Sequence, residues 1–250
     1  MIHGLYAAAS GMIAIEDRQA VIANNIANSA TAGFKRQNAV NEGFKQIFLG
    51  AMGTAERLNF ERGPGGGLKT TNVYTDYASG GINSTGDPMH LALQGPGYFV
   101  VDTPAGERFT RNGALTINAN GQLTTVEGYP IAGEGGPVVV EGGSVEFGGD
   151  GTVMVNNAAV GKLRVVEFDD PALLERYGES LFAPVEKAGG ARPSELTSVV
   201  PGALESSNVQ VPYEMAQMML GLRMYNANQK VITSVDETMG RLINEVGMPT

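Results

Sequence analysis

The sequence predicts an α+β fold in which a helix from each end of the chain forms a discontinuous coiled-coil domain and the middle forms an inserted antiparallel β-rich domain. Three observations carry that expectation. Apolar residues recur in alternating steps of three and four at both ends: Leu5, Ala8, Met12, Ile15, Gln19, Ile22 and Ile26, then Val211, Met215, Met218, Leu222, Tyr225, Gln229, Ile232, Asp236, Met239, Ile243 and Val246. A mean step of ~3.5 residues draws one narrow seam along a helix. Glycine supplies 35 of 250 residues, about twice the usual share of ~7%, and crowds between residues 63 and 190. From about residue 91 the apolar period changes to two and turn signals become dense, the mark of short strands.

Taken in order, the first helix is expected over residues 2–28, with Ala14, Ala20, Ala23 and Ala27 placing small side chains off the seam and Gly33 supplying the left-handed stop. Residues 34–80 show little periodicity beyond a patch at Phe44, Ile47, Phe48 and Leu49, and Gly63-Pro64-Gly65-Gly66-Gly67 punctuates them, so an extended connector is expected. Tyr98-Phe99-Val100-Val101 reads as a buried strand. Asn112-Gly113 and Asn120-Gly121 are hairpin signals on either side of residues 114–118. Segments 138–140, 144–147 and 152–155, separated by glycine pairs, suggest a meander, and 162–168 and 180–185 add strands with a short helical turn at 171–174 between them. Strands at this spacing without helices between them indicate an antiparallel barrel or sandwich. The last helix is expected to begin after Asn208 as N-cap, with Pro212 tolerated in its first turn. The pattern thus divides the chain into a terminal helical domain (1–33 and 206–250), a connector (34–80) and a β-rich domain (81–205).

Composition excludes several functions. A net charge of −9 without a basic block is a poor match for nucleic acid. With no cysteine, disulfides, thiolate metal sites and cysteine nucleophiles are impossible, and His3 and His90 make no metal cluster; no metal or other cofactor is expected. No run approaches the ~18–20 apolar residues of a membrane span, so direct membrane insertion is not expected. The amino end has no basic stretch followed by an apolar block, so a cleaved secretory signal is not expected and the chain reads as cytoplasmic on this ground alone. Asp102, Glu107, Asp150, Asp169 and Asp170 lie in or beside the β region, but no spacing ties two of them together for acid–base work. Gly65-Gly66-Gly67-Leu68-Lys69-Thr70 lacks the spacing and preceding strand of a phosphate loop. No catalytic residue is assigned and the chain is not read as an enzyme.

The seams instead suggest assembly. Gln19, Gln229 and Asp236 within them are of the polar kind that fixes register, while Ile13, Val21, Val231 and Val235 lie off them and gain from further burial. The expectation is that the ends order fully only when other subunits cover those faces, and that repeated head-to-tail contact without closure gives a helical tube. The alternative is the core of an ordinary bundle. A secreted coiled-coil scaffold is a further option.

Residues 23–36, Ala-Asn-Asn-Ile-Ala-Asn-Ser-Ala-Thr-Ala-Gly-Phe-Lys-Arg, resemble the signature of bacterial flagellar rod and hook proteins, and the resemblance continues through 91–100, 110–113, 120–123 and 202–209. It covers nearly the whole chain. Within that family the length is unlike the hook protein; 133–137 and 231–237 look like the proximal-rod type, while Asn25 is equally like the distal type. The resemblance implies a structural rod subunit, whose helices form the inner wall of a torque-transmitting tube and whose β domain forms an outer layer. It implies as partners other rod subunits, copies of itself and the flagellar type III export apparatus. It also moves the expected location to the basal body crossing the periplasm, reached by export without a cleaved signal. The candidate assembly interface is then Leu5, Met12, Ile15, Ile22, Asn24, Asn25, Ile26, Asn28, Met215, Met218, Leu222, Tyr225, Ile232, Met239 and Ile243. Asn24 and Asn28, four apart, are expected to share a helix face and to bond a neighbouring backbone; the alternative is that Asn28 and Gly33 merely end the helix. Lys35 and Arg36 are expected to be solvated or to meet acidic groups of an adjacent subunit.

Overall fold

A computed structural model describes residues 2–43, 68–140, 142–178, 180–184, 190–194 and 196–246. The fold is α+β: in sequence, helix Ile2–Ala27 precedes and helix Val211–Val246 follows an antiparallel β-rich region. The chain divides into two compact units, one of Met1–Ile26, Gln37–Thr75 and Gln210–Thr250, the other of Ala27–Arg36 and Asp76–Val209. The described residues 37–43 and 68–75 therefore go with the helices and 27–36 with the strands.

In the helical unit, alanine at positions 7, 8, 9, 14, 20, 23 and 27 favours the first helix, and Pro212 lies in the opening turn of the second, where its missing N–H costs nothing. The helices run antiparallel: Gly11 lies against Asn228, and Gln19 against Gly221 and Met218. Arg18 Nη2 donates to Gln217 Oε1 at 2.7 Å, and Gln19 Nε2 to the Met218 carbonyl at 3.0 Å. The contact face coincides with the heptad seam only in part. Ala8, Ala14 and Ile22 are buried, and Met218, Gly221, Tyr225, Asn228, Ile232 and Val235 are half-buried, whereas Met215, Leu222 and Met239 are exposed. Small residues explain the shift, because Gly11 and Gly221 let a partner's amide approach a bare backbone.

The weakly patterned connector holds an antiparallel ribbon, Gln37–Gly43 with Leu68–Thr75, bulged between Val40 and Asn41. Its sequence lacks alternation, and a two-stranded ribbon is marginal by itself. Asn25 anchors it, donating Nδ2–H to the Gln37 carbonyl at 2.8 Å and accepting the Gln37 N–H at 2.9 Å. The expected patch at Phe44, Ile47, Phe48 and Leu49 and the glycines at 63–67 lie outside the described residues.

The other unit centres on strand Tyr98–Thr103 in a six-stranded antiparallel sheet, whose order is Leu174–Tyr177, Leu181–Pro184, Gly106–Thr110, Tyr98–Thr103, Val165–Glu167 and Arg192–Pro193. Alternation along the central strand builds two cores. Phe99 and Val101 pack with Leu115, Leu123, Ile131 and Leu181, while Tyr98 and Val100 pack with Phe109, Phe168 and Phe182. Phe109 and Phe168 meet edge to face at 4.8 Å, a geometry aromatic rings favour. The expected meander is met in part: the three-stranded sheet is Val145–Phe147, Thr152–Val155 and Ala158–Lys162, while residues 138–140 form no strand and carry only an isolated bridge from Val139 to Gln122. The expected strand over 162–168 is instead two, broken at Leu163-Arg164, and Pro171–Leu173 is a 3-10 turn capped by Asp170.

One Asn-Gly pair makes a hairpin and the other does not. Leu115–Ile117 pairs with Leu123–Thr125 around Asn120-Gly121, where Gly121 adopts φ +74° and Asn118 Oδ1 accepts the N–H groups of Asn120 and Gln122. Gly113 instead lies under strand Leu91–Gln94, where a Cβ would sit 1.7 Å from the Leu91 carbonyl oxygen. Gly113→Ala should therefore force the backbone apart and destabilise the chain by about 2–3 kcal/mol or more, read as a lowered urea midpoint.

Candidate functional site

The stretches that carried the family resemblance meet around one buried carboxylate. Strand Ala203–Glu205 pairs with Ile82–Ser84 and leads towards the last helix. Glu205, 1% exposed, takes Lys35 Nζ on Oε1 at 2.6 Å, the Gly80 N–H on the same oxygen at 3.0 Å, and Arg111 Nη1 on Oε2 at 3.3 Å. The Arg111 guanidinium also stacks 4.8 Å above the Tyr98 ring, and Lys35 Nζ donates to the Ala78 carbonyl at 2.9 Å. Burial pulls Lys35 below its usual 10.5 while Glu205 opposes the shift. Burial likewise pushes the Tyr98 phenol up to about 12. Both cations are buried, so the carboxylate is what makes their burial tolerable.

Backbone and amide bonds close the same junction. The Gly33 N–H donates to the Glu205 carbonyl at 2.8 Å. Gly33 has φ +69°, and a Cβ there would sit 2.4 Å from the Arg111 carbonyl carbon, so only glycine fits. The expected helix stop is thus placed elsewhere: the helix ends at Ala27, and Gly33 serves a close crossing. Asn208 is not the cap of a helix that begins at Val211. Its Oδ1 accepts the Arg36 N–H at 2.7 Å and its Nδ2 donates to the Asp76 and Ala78 carbonyls at 2.9 and 3.1 Å. Lys35, expected in solvent or against another subunit, is among the most buried side chains.

The proposed interface residues fall into three groups. Ile22 and Asn25 are buried and Met12, Ile15, Ile26, Met218, Tyr225 and Ile232 half-buried in the helical unit; Asn28 is buried in the other. Leu5, Asn24, Met215, Leu222 and Met239 are exposed. The side chain of Ile243 lies outside those described. Asn25 bonds the backbone of its own chain's Gln37. Between the helices a groove of about 350 Å³ is lined by Gly11, Ala14, Ile15, Gln19, Gly221 and Met224, among others.

Four of the five scattered carboxylates, Glu107, Asp150, Asp169 and Asp170, have structural partners. Glu107 pairs with Arg164 at 2.7 Å and Asp169 with Arg192 at 3.0 Å; Asp150 accepts from Thr152, which lowers its pKa, and Asp170 caps the 3-10 turn. His90 lies 2.9 Å from the Thr85 hydroxyl. Among the described residues no group of His, Asp or Glu is placed to hold a metal, and no helix is long and apolar enough to cross a membrane.

Residues 5–35 match a family model described as flagella basal body rod protein, 92–155 the flagellar hook protein FlgE/F/G D1 domain, and 200–245 the flagellar basal body rod FlgEFG protein C-terminal. A flagellar basal-body rod protein FlgF of Salmonella typhimurium is 33% identical over 96% of this chain and 97% of that one. The chain belongs to the flagellar basal-body rod protein family. A FlgG of Buchnera aphidicola subsp. Schizaphis graminum is 30% identical over 97% of this chain and 99% of its own length. A FlgF of Mesorhizobium japonicum is 29% identical over 99% of both. The expected likeness to the proximal-rod member FlgF fits, and FlgG relatives match to a similar degree. This rod protein is a structural subunit of the flagellar basal body and not an enzyme.

The matched segments at 5–35 and 200–245 contribute Lys35 and Glu205, and the middle one contributes Arg111. Glu205→Ala would leave two buried cations uncompensated and should cost about 3–5 kcal/mol. Chemical denaturation of the single variant and of Lys35→Met/Glu205→Ala tests this: the double variant should recover part of the loss.

Proposed function

We propose that this rod subunit assembles through its terminal helices, which pack in coiled-coil fashion against helices of neighbouring subunits to form the wall of a helical tube, and that its position is in the proximal rod. The observation that carries the reading is the surface of helix Val211–Val246. Met215, Met219 and Leu222 are exposed on one flank of its intrachain contact, and Leu220, Met224 and Val231 on the other. Isolated exposed apolar residues need no explanation, but rows on both sides of a contact mark surfaces that other chains cover. Two such flanks suit head-to-tail association that does not close.

The partners in this reading are other rod proteins and further copies of this chain. The β-rich unit, with core on both faces of its central sheet, resists shear while the tube turns, and the assembled rod transmits torque from motor to hook across the periplasm. Export precedes assembly, through the flagellum-specific apparatus and without a cleaved signal. A distal-rod position is the second reading, favoured by the FlgG relatives.

Half-buried Ile232 lies on the contact face, so Ile232→Asp should abolish motility while the β-rich unit keeps its thermal transition. Removal of everything after Asn208 should likewise stop rod formation; intact rods from that variant would defeat the reading. Electron microscopy of basal bodies from a deletion strain separates proximal from distal, because loss of each leaves a different remnant.

A further inference from the structure

The two helices meet through a reciprocal arrangement. Each contributes one glycine and one amide: Gly11 receives Asn228, whose Nδ2 would lie 3.1 Å from a Cβ at Gly11, and Gly221 receives Gln19, whose Nε2 would lie 2.5 Å from a Cβ at Gly221. Gln19 also donates to the Met218 carbonyl at 3.0 Å, and Arg18 reaches Gln217 beside it. On each helix glycine and amide are about two turns apart, so the two contacts fit one register of the antiparallel pair.

The heptad pattern favours another arrangement. A helix packed through its seam would bury Met215 and Leu222, two exposed large apolar residues of that stripe, in place of Gly221 and Asn228. The difference is a rotation of about 50°, half of the ~100° between successive residues. Apolar burial favours the rotated form, and the glycine–amide contacts oppose it.

We infer that Gln19 and Asn228 are specificity-determining residues of assembly, which hold the intrachain helix pair rotated away from its heptad seam and so reserve Met215, Met219 and Leu222 for a neighbouring subunit's helix. The inference rests on the proposed docking role of that flank and adds what keeps the flank uncovered. It has an unusual consequence: replacing the amides with leucine makes the isolated subunit more stable and the rod harder to build. The polar contacts buy specificity at the expense of stability, as single polar seam residues do in coiled coils.

The test compares the full-length parent with Gln19→Leu/Asn228→Leu. Hydrogen peroxide converts an exposed methionine thioether to the sulfoxide, transferring one oxygen atom and leaving water. Mass spectrometry then reads Met215 oxidation against Met154 of the β-rich unit as internal reference. The expected result is severalfold slower oxidation of Met215, a raised thermal midpoint and loss of incorporation into rods. Unchanged Met215 oxidation would overturn the inference, as would slowed oxidation with normal incorporation. Should the leucine variant fail to fold, Gln19→Ala/Asn228→Ala gives the same direction with a smaller shift, and no shift there overturns the proposal. Met215→Asp in the parent separates the two claims: normal motility in it defeats the docking reading, whereas the oxidation rates report the rotation independently.

Discussion

Everything proposed for the helical unit depends on how little apolar surface its two helices use on each other. A helix of 36 residues normally gains its stability by burying one stripe. Here the facing residues include alanines, two glycines and two side-chain amides, with Ile15, Ile22, Met218, Tyr225, Ile232 and Val235 as the larger apolar members. Close approach replaces large side chains, and the methionines and leucines that would ordinarily drive the pairing remain at the surface. Methionine suits such a surface, since an unbranched, polarizable side chain adapts to neighbours of differing shape. In the proposed assembly, contact with rod components of other sequence benefits from that tolerance.

In the β-rich unit a different constraint governs. Glu205 answers two cations that lie far from it and from each other in sequence, Lys35 and Arg111, and its Oε1 also accepts the Gly80 N–H. Removing one partner from such a cluster is far costlier than the cluster's net contribution, because the remaining charge stays buried. The junction can therefore form only when residues 33–36, 76–80, 111 and 203–208 are all present. Two glycines complete it by permitting approaches that any side chain would block, Gly33 at Arg111 and Gly80 at the Ser206 carbonyl.

Periodicity made the two helices, the buried strand at Tyr98 and the Asn120-Gly121 hairpin legible in the sequence. It failed for the ribbon Gln37–Gly43 and Leu68–Thr75, whose stability comes from Asn25 and strand pairing rather than from alternation. The heptad seam matches the contact only in part, with Met218, Tyr225 and Ile232 shared and Met215, Leu222 and Met239 left out, because apolar counting gives glycine no weight although glycine sets the closest approach. Asn208 looked like a cap and Gly33 like a helix stop, and both instead serve contacts with residues distant in sequence. The buried ion cluster left no local trace: a lysine, an arginine and a glutamate far apart read as solvated charges. The convergence of the motif stretches on Glu205 was the one available signal, and it marks a structural junction.

The central claim is that the terminal helices lack enough interior of their own and gain it from neighbours. Amide hydrogen exchange across residues 4–27 and 211–242 tests it most directly, measured for the dilute full-length subunit and for the same chain in purified rods. The account predicts helix amides that exchange readily in the single subunit and become strongly protected in the rod, with the β-rich unit protected in both. Equally strong protection of both helices in the dilute subunit would contradict it.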